Sequence, residues 1–368
     1  MRSLLLAGTA LAFLASPAQA FNVGLFGQFG NNNQVTGSQL DAPNPYGELT
    51  SANVVASTQG GNNNLATVRQ RADFYTVNTA TILQDGNNNQ QTTDQATTGN
   101  YVMMQVCGWP VSACSFPVPT GPINSNTAWT AQIGGENYSY TYQRGGSGNG
   151  NASGTLQVGW ANGNVVFQVG GNSQDTIQLG FLNGSVTGQF GEGNRSETFQ
   201  LGVLNGQITL QGGDNNRAGT RQVGALNGSA TFQGGAFNEA DTDQVGLLNG
   251  SVTSQLGVGH DATTTQVGLL NGSQTDQVGF NHEANTTQVG AFNGSRTDQV
   301  GANNTANTLQ VGTFNRSGVN QNGTNNNASV NQFGNGNASS VDQLDSGNWA
   351  AVGQVGNGNS ATITQSNW

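Results

Sequence analysis

The stretch from Gln222 to Gln244 reads QVGALNGSATFQGGAFNEADTDQ. Gln returns at Gln233 and again at Gln244, a spacing of eleven residues. Other positions are fixed relative to each Gln. Gly stands two residues on (Gly224, Gly235), Asn five on (Asn227, Asn238), a small residue seven on (Ser229, Ala240) and Thr nine on (Thr231, Thr242). Working outward, steps of eleven land on Gln without a break from Gln178 to Gln365. The Gly column runs from Gly180 to Gly356 and departs only at Asp345; the Asn column runs from Asn183 to Asn359 and departs only at His260 and His282. Thr holds the ninth place through Thr308, after which Val319, Val330, Val341, Val352 and Ile363 take it. The unit is Q-x-G-x-x-N-x-[SA]-x-[TV]-x.

The fixed offsets five, seven, nine and eleven are spaced by two, the period of a strand whose alternate side chains face opposite ways. Each Asn-to-Gln segment is therefore a short strand with Asn, Ser or Ala, Thr or Val, and Gln on one face. The intervening offsets vary and hold most of the charges, such as Arg195, Glu239, Asp276 and Arg296. Gly at offset two is expected in the turn between strands, where positive φ is cheap. The true period is twice eleven, because offset seven alternates Ser229, Ser251, Ser273 with Ala218, Ala240, Ala262. Offset four alternates too. One column reads Leu182, Leu204, Leu226, Leu248, Leu270, Phe292, Phe314; the other reads Gly193, Asn215, Phe237, Gly259, Asn281, Asn303. The apolar column either tucks under the turn as core or forms an exposed ridge. A coil is thus strand, turn, strand, turn. Stacked coils place like side chains above one another at about 4.8 Å, and inward amides form ladders around a thin core. An eleven-residue repeat also marks right-handed coiled coils, but a Gly in nearly every repeat excludes a helix. A leucine-rich spine and the Asp of a calcium-binding nonapeptide repeat are both missing.

Composition agrees. Of 368 residues 56 are Gly, 34% are hydrophobic and only 8% are charged, with net charge −10 and no Lys. That is too little apolar surface for a large oil-drop core and too little charge for ordinary disorder. The acidic balance argues against nucleic acid and anionic membrane as partners.

Less regular copies precede Gln178. Asn162 to Gln168, Asn151 to Gln157, Asn137 to Gln143, Asn126 to Gln132, Asn89 to Gln95, Asn78 to Gln84, Asn64 to Gln70, Asn53 to Gln59 and Asn33 to Gln39 fit; Asn22 to Gln28 and Gly99 to Gln105 fit less well. The reading is an all-β solenoid of two-strand, 22-residue coils, about 14 of them, forming a rod of roughly 70 Å at one strand spacing per coil. Residues 21–150 hold irregular repeats with long Pro-bearing loops at 40–52 and 106–125; residues 151–368 hold regular ones. Residues 1–20 read as a secretory signal, with Arg2, the apolar run Leu4 to Leu14, and Ala18-Gln19-Ala20 before a mature start at Phe21. No other segment could cross a bilayer as a helix. Cys107 and Cys114 are the only cysteines. In an exported chain they are expected to close a small disulfide loop, either a tolerated insertion or a recognition tip.

The spacing Q-x-G-x-x-N-x-[SA]-x3-Q resembles the curlin repeat of bacterial curli, the extracellular functional amyloid. By that resemblance a cross-β ladder is carried by Gln178, Gln189, Gln200, Gln222, Gln244, Gln266, Gln288, Gln310, Gln332 and Gln354, with Asn183, Asn194, Asn205, Asn227, Asn249, Asn271, Asn293, Asn315, Asn337 and Asn359. It also implies export through an outer-membrane pore, templating by a nucleator subunit, and a homopolymer fibre in the biofilm matrix that adheres to surfaces. The residues themselves contain no nucleophile–base set, phosphate loop or metal cluster, so neither an enzyme nor a cofactor is expected. No capping segment follows the repeat ending at Gln365, and open strand edges recruit further chains. The alternative is a monomeric surface solenoid, an adhesin or ice-binding protein. The regular Thr column shares parity with the inward amides, which argues against ice. Glu239, Asp261 and Glu283 stack at offset six beside the two ladder histidines His260 and His282. They are read either as solvated acids beside amide substitutes or as an assembly brake relieved by a divalent cation or mild acid.

Overall fold

The computed structural model describes residues 21–41, 52–72, 76–97, 101–105, 115–119, 125–145 and 150–366. The expected signal segment, the tips of both long loops and the Cys107–Cys114 pair lie outside them. The described residues form strands and tight corners, and twenty-six of the strands pair in parallel. At two strands per coil this makes about thirteen turns. The fourteen expected are recovered by counting Asn-to-Gln segments, because Gly163–Phe181 and Gly184–Val203 each carry two segments around a corner without a break.

Contacts divide the chain into two units. The first is Met1–Asp175 with Gln189–Glu192. One of its walls stacks Phe21–Phe29, Ala52–Asn62, Val77–Asn87, Ser125–Gly135 and Ala152–Trp160, with Gln28, Gln59, Gln84, Gln132 and Gln157 in register. The other stacks Gln34–Asp41, Leu65–Ala72, Gln90–Ala96, Tyr138–Arg144 and the start of Gly163–Phe181, with Gln39, Gln70, Gln95, Gln143 and Gln168 in register. The weakly fitting segment Asn22 to Gln28 joins the stack. Of Gly99 to Gln105, the described residues Tyr101–Gln105 do not, and this corrects the sequence reading. Tyr101–Gln105 pairs antiparallel with Ser115–Pro119 outside the stack. The stack passes directly from Gln84 to Gln132, and Gly99 has no side-chain amide to offer a ladder.

The second unit is Thr176–Gly188 with Gly193–Trp368. Here the pairing is i to i+22 throughout, as in Arg217–Ala225 on Glu239–Leu247 and Gly228–Ala236 on Gly250–Val258. Along Gly228–Gln233 burial alternates: Ser229, Thr231 and Gln233 are buried, while Gly228 and Phe232 are exposed. The interior is mostly polar. Small apolar clusters occur where Ala and Val replace hydroxyls, notably Val319, Val330, Val341 and Val352 in this unit and Val55, Val68 and Ile82 in the first.

The corners differ from the expected turn. Gly at offset two lies within the strand bounds, with φ of 122° at Gly224 and 128° at Gly246. A Cβ on Gly224 would sit 1.9 Å from the Gly246 carbonyl oxygen, so coils can stack this closely only through a Gly column. The residue at offset four makes the second bend, in the left-handed helical region. In one column that residue is Gly259, Asn281 or Asn303, types at ease there, with Phe237 at 57° the exception; in the other it is Leu226, Leu248 or Phe292, with φ of 56°, 59° and 56°. A left-handed backbone costs a bulky L-residue roughly 1–2 kcal/mol. Burial does not offset that cost, because this column is 39% to 63% exposed. Of the two readings of the column, the structure shows the exposed ridge.

Candidate functional site: the amide ladder and its edges

The inward Gln and Asn columns are buried, with Gln244 0% and Asn249 1% exposed. Burying amides is tolerable only when they are bonded. Gln244 Nε2 donates to Gln266 Oε1 at 2.8 Å and to the Gly228 carbonyl oxygen at 2.9 Å, and Gln244 Oε1 accepts from Gln222 Nε2 at 2.9 Å. The chain of donors therefore points toward later coils. The Asn ladder points the other way. Asn249 Nδ2 and its backbone N–H both donate to Asn227 Oδ1 at 3.1 Å, and Nδ2 also reaches the Gly268 carbonyl oxygen at 3.1 Å. Each Asn thus ties its own corner to the coil before it and to the Gly corner of the coil after. The same bonds join Gln178 to Gln200, Gln200 to Gln222, Gln266 to Gln288, Gln288 to Gln310, Gln310 to Gln332 and Gln332 to Gln354. Asn183, Asn205, Asn227, Asn249, Asn271 and Asn293 link likewise, as do Asn315, Asn337 and Asn359. Gln189 and Asn194 take the same roles on the facing wall: Gln189 accepts from Gln168, and Asn194 Oδ1 accepts from Asn216.

The two histidines reproduce the asparagine pattern with a ring. His282 N donates to His260 Nδ1 at 3.3 Å, and Asn304 N donates to His282 Nδ1 at 3.2 Å. Nδ1 is therefore the acceptor, standing in for Oδ1. Nε2 of each ring lies 3.2 and 3.0 Å from the carbonyl oxygens of Leu256 and Val278, so it carries the proton and stands in for Nδ2. Both rings are 1% exposed and stack at 5.0 Å with 4° between planes. Burial pushes both below the ordinary imidazole value, and for His260 the neighbouring His282 adds to this.

Glu239, Asp261 and Glu283 lie in register on consecutive coils, with Arg217 next in the same column. Arg217 pairs with Glu239 and lies 3.9 Å from Asp241. Burial raises the Asp261 carboxyl, and Glu239 and Glu283 on either side raise it further. The acids form a row at strand spacing, and no three metal-ligating side chains converge among the described residues. Not every inward group is satisfied. Thr231, Ser251 and Ser273 are among the buried hydroxyls without a hydrogen-bond partner.

Among the described residues, the ladders at the outer ends of the two units are open. Trp349–Asn357 and Ser360–Ser366 each pair on one side only, with Asn327–Asn335 and Ala338–Leu344. Phe21–Phe29 and Gln34–Asp41 likewise have one partner each, Ala52–Asn62 and Leu65–Ala72. At the later edge the Gln side chains present donor N–H and the Asn side chains present acceptor oxygens; at the earlier edge the roles reverse.

Sequence reasoning missed a Gly column on the outer surface. Gly206, Gly228, Gly250, Gly272 and Gly294 stand at offset six of alternate repeats. Their signal in the sequence is the Asn-Gly pair that recurs every 22 residues.

Residues 301–334 match the family model described as the curlin associated repeat. No curated protein matches the chain significantly. The matched segment spans three of the Gln positions, Gln310, Gln321 and Gln332, and the same spacing and i to i+22 pairing run through the rest of the second unit. The chain is a curlin-like structural repeat protein with a β-solenoid fold. Among the described residues no helix is long and apolar enough to cross a membrane.

Proposed function

We propose that the chain is a secreted subunit that polymerises into extracellular curli-like fibres of a biofilm matrix. The observation that carries this is the complementarity of the open edges. The later edge offers Gln donors and Asn acceptors; the earlier edge offers Gln acceptors and Asn donors, in strands of the same parallel register. One copy's later edge therefore extends another's earlier edge with the bonds used inside each unit, and unpaired edges favour such addition. The repeat match at 301–334 supports the reading, as does the apolar start of the chain, which reads as an export signal. By the same family resemblance, a nucleator subunit and an outer-membrane export pore are its expected partners.

The test is monomer depletion by sedimentation in purified chain starting at Phe21. Native chain is expected to polymerise without any cofactor. Lys at Asn359 and Gln365 places charge on the exposed rung and is expected to stop growth at that edge. Native chain that stays monomeric for days at high concentration overturns the proposal and leaves a monomeric surface solenoid as the alternative.

A further inference from the structure

The two walls of the second unit turn unlike faces outward. Arg217–Ala225, Glu239–Leu247, Asp261–Leu269 and Glu283–Ala291 present Arg217, Glu239, Asp261 and Glu283. The opposite wall presents Ile208, Leu210, Phe232 and Val252 on Gly206–Asp214, Gly228–Ala236 and Gly250–Val258, each 39% to 43% exposed, and turns polar beyond them with Asp276, Arg296 and Asp298. A contiguous apolar face of this kind marks an interaction surface.

Two details of that face are not explained by the fold. The ridge of Leu226, Leu248 and Leu270 holds left-handed backbone that at the other corner is occupied without strain by Gly or Asn, with Phe237 the exception. Beside it runs a groove of about 1050 Å³, floored by Gly228, Gly250 and Gly272. Their backbones are not left-handed, and a Cβ added to any of them would meet nothing within 4 Å. Each opens its strand at a position where the backbone does not require Gly, and a missing side chain there leaves room for close approach of another surface. Strained knobs and needlessly empty holes therefore lie side by side, each repeating once per coil.

We infer that this face docks on the same face of a second copy, independently of end-to-end growth. A two-fold axis perpendicular to the stack lays the ridge of each copy into the groove of the other, a self-complementary contact. The repeat identifies the occupant: a partner whose features recur at any spacing other than one coil falls out of register within a few knobs. The charged wall stays in water, so association stops at two.

The experiment compares native chain with two triple variants. The ridge variant is Leu226→Asn, Leu248→Asn and Leu270→Asn; the groove variant is Gly228→Val, Gly250→Val and Gly272→Val. Asn suits left-handed backbone and Val suits an open strand position, so both are expected to melt no lower than native chain. Filament width by electron microscopy, and mass by sedimentation velocity in chain not yet polymerised, both read pairing. The second readout keeps the test valid if no fibres form. Native chain is expected as pairs and both variants as singles, with width and mass falling about twofold. Paired species persisting in either variant, or single native chains, overturn the inference. If the ridge variant melts low, the groove variant decides alone, because it removes no packed atom.

Discussion

Replacing Gln244 by Leu tests the ladder where its bonding is fully defined. The side chain makes three hydrogen bonds, to Gln266, Gly228 and Gln222, and those to the two Gln are buried. Leu fits the volume but leaves without partners one N–H of the Gln222 amide, whose other bond goes to the Gly206 carbonyl oxygen, and the Gln266 side-chain carbonyl oxygen. Each orphaned group costs about 1–3 kcal/mol, so the change costs roughly 2–6 kcal/mol. Stability in a solenoid is a sum of repeat and neighbour contributions, so the loss concentrates in the coils around Gln244. Backbone hydrogen exchange in Arg217–Ala225, Glu239–Leu247 and Asp261–Leu269 is the assay. At about 1.4 kcal/mol per decade, protection is expected to fall about 30-fold to 10⁴-fold. Ser254→Leu faces outward on the neighbouring wall and is expected to change exchange by less than about threefold, within the ±0.5 kcal/mol of a surface change. Equal losses at Gln244 and Ser254 would show that the amide ladder does not hold the coils.

Acid is expected to open the histidine coils. The folded values of His260 and His282 lie below the unfolded value of about 6.5, so the unfolded chain binds more protons and stability falls as pH drops below about 6.5. Asp261, held high by burial and by Glu239 and Glu283, opposes this only at lower pH, where it takes up its proton. A His260→Asn and His282→Asn variant should show the same protection, relative to unprotected amides, at pH 7 and pH 5.5 in these coils, and native chain should lose protection at pH 5.5. Thr231→Val removes a buried hydroxyl without a partner and is expected to raise stability by up to about 1 kcal/mol, read as a higher melting temperature. Gly224→Ala is expected to disrupt its corner, because the Cβ meets the Gly246 carbonyl oxygen at 1.9 Å. Gly228→Ala, with nothing within 4 Å, is expected to be silent; circular dichroism melts separate the two.

The fold was legible because the repeat fixes residues at every second position. From Asn227, Ser229, Thr231 and Gln233 alone one obtains the strand, its inward face and the 22-residue coil that pairs Gly228–Ala236 with Gly250–Val258. The corners were less legible. The left-handed residue is Leu226 at offset four, a type propensity disfavours there, and Gly224 at offset two bends the strand instead of ending it. Gly99 to Gln105 was misplaced because spacing to one Gln was counted without a ladder Asn to support it. The direction of each ladder was not legible either, since it depends on side-chain geometry: Gln244 donates forward and Asn249 backward. The outer groove escaped notice for a related reason. Gly228 looks like any turn glycine in sequence, and only its open surroundings and ordinary φ show that the backbone does not require it.

Fibre diffraction on purified chain starting at Phe21, concentrated and incubated without additives, tests the self-assembly of this solenoid most directly. Coils that stack end to end in register should give aligned fibres with a meridional reflection at about 4.8 Å and an equatorial one near 10 Å. A solution that yields no fibres, with all chain sedimenting as monomer, would contradict it.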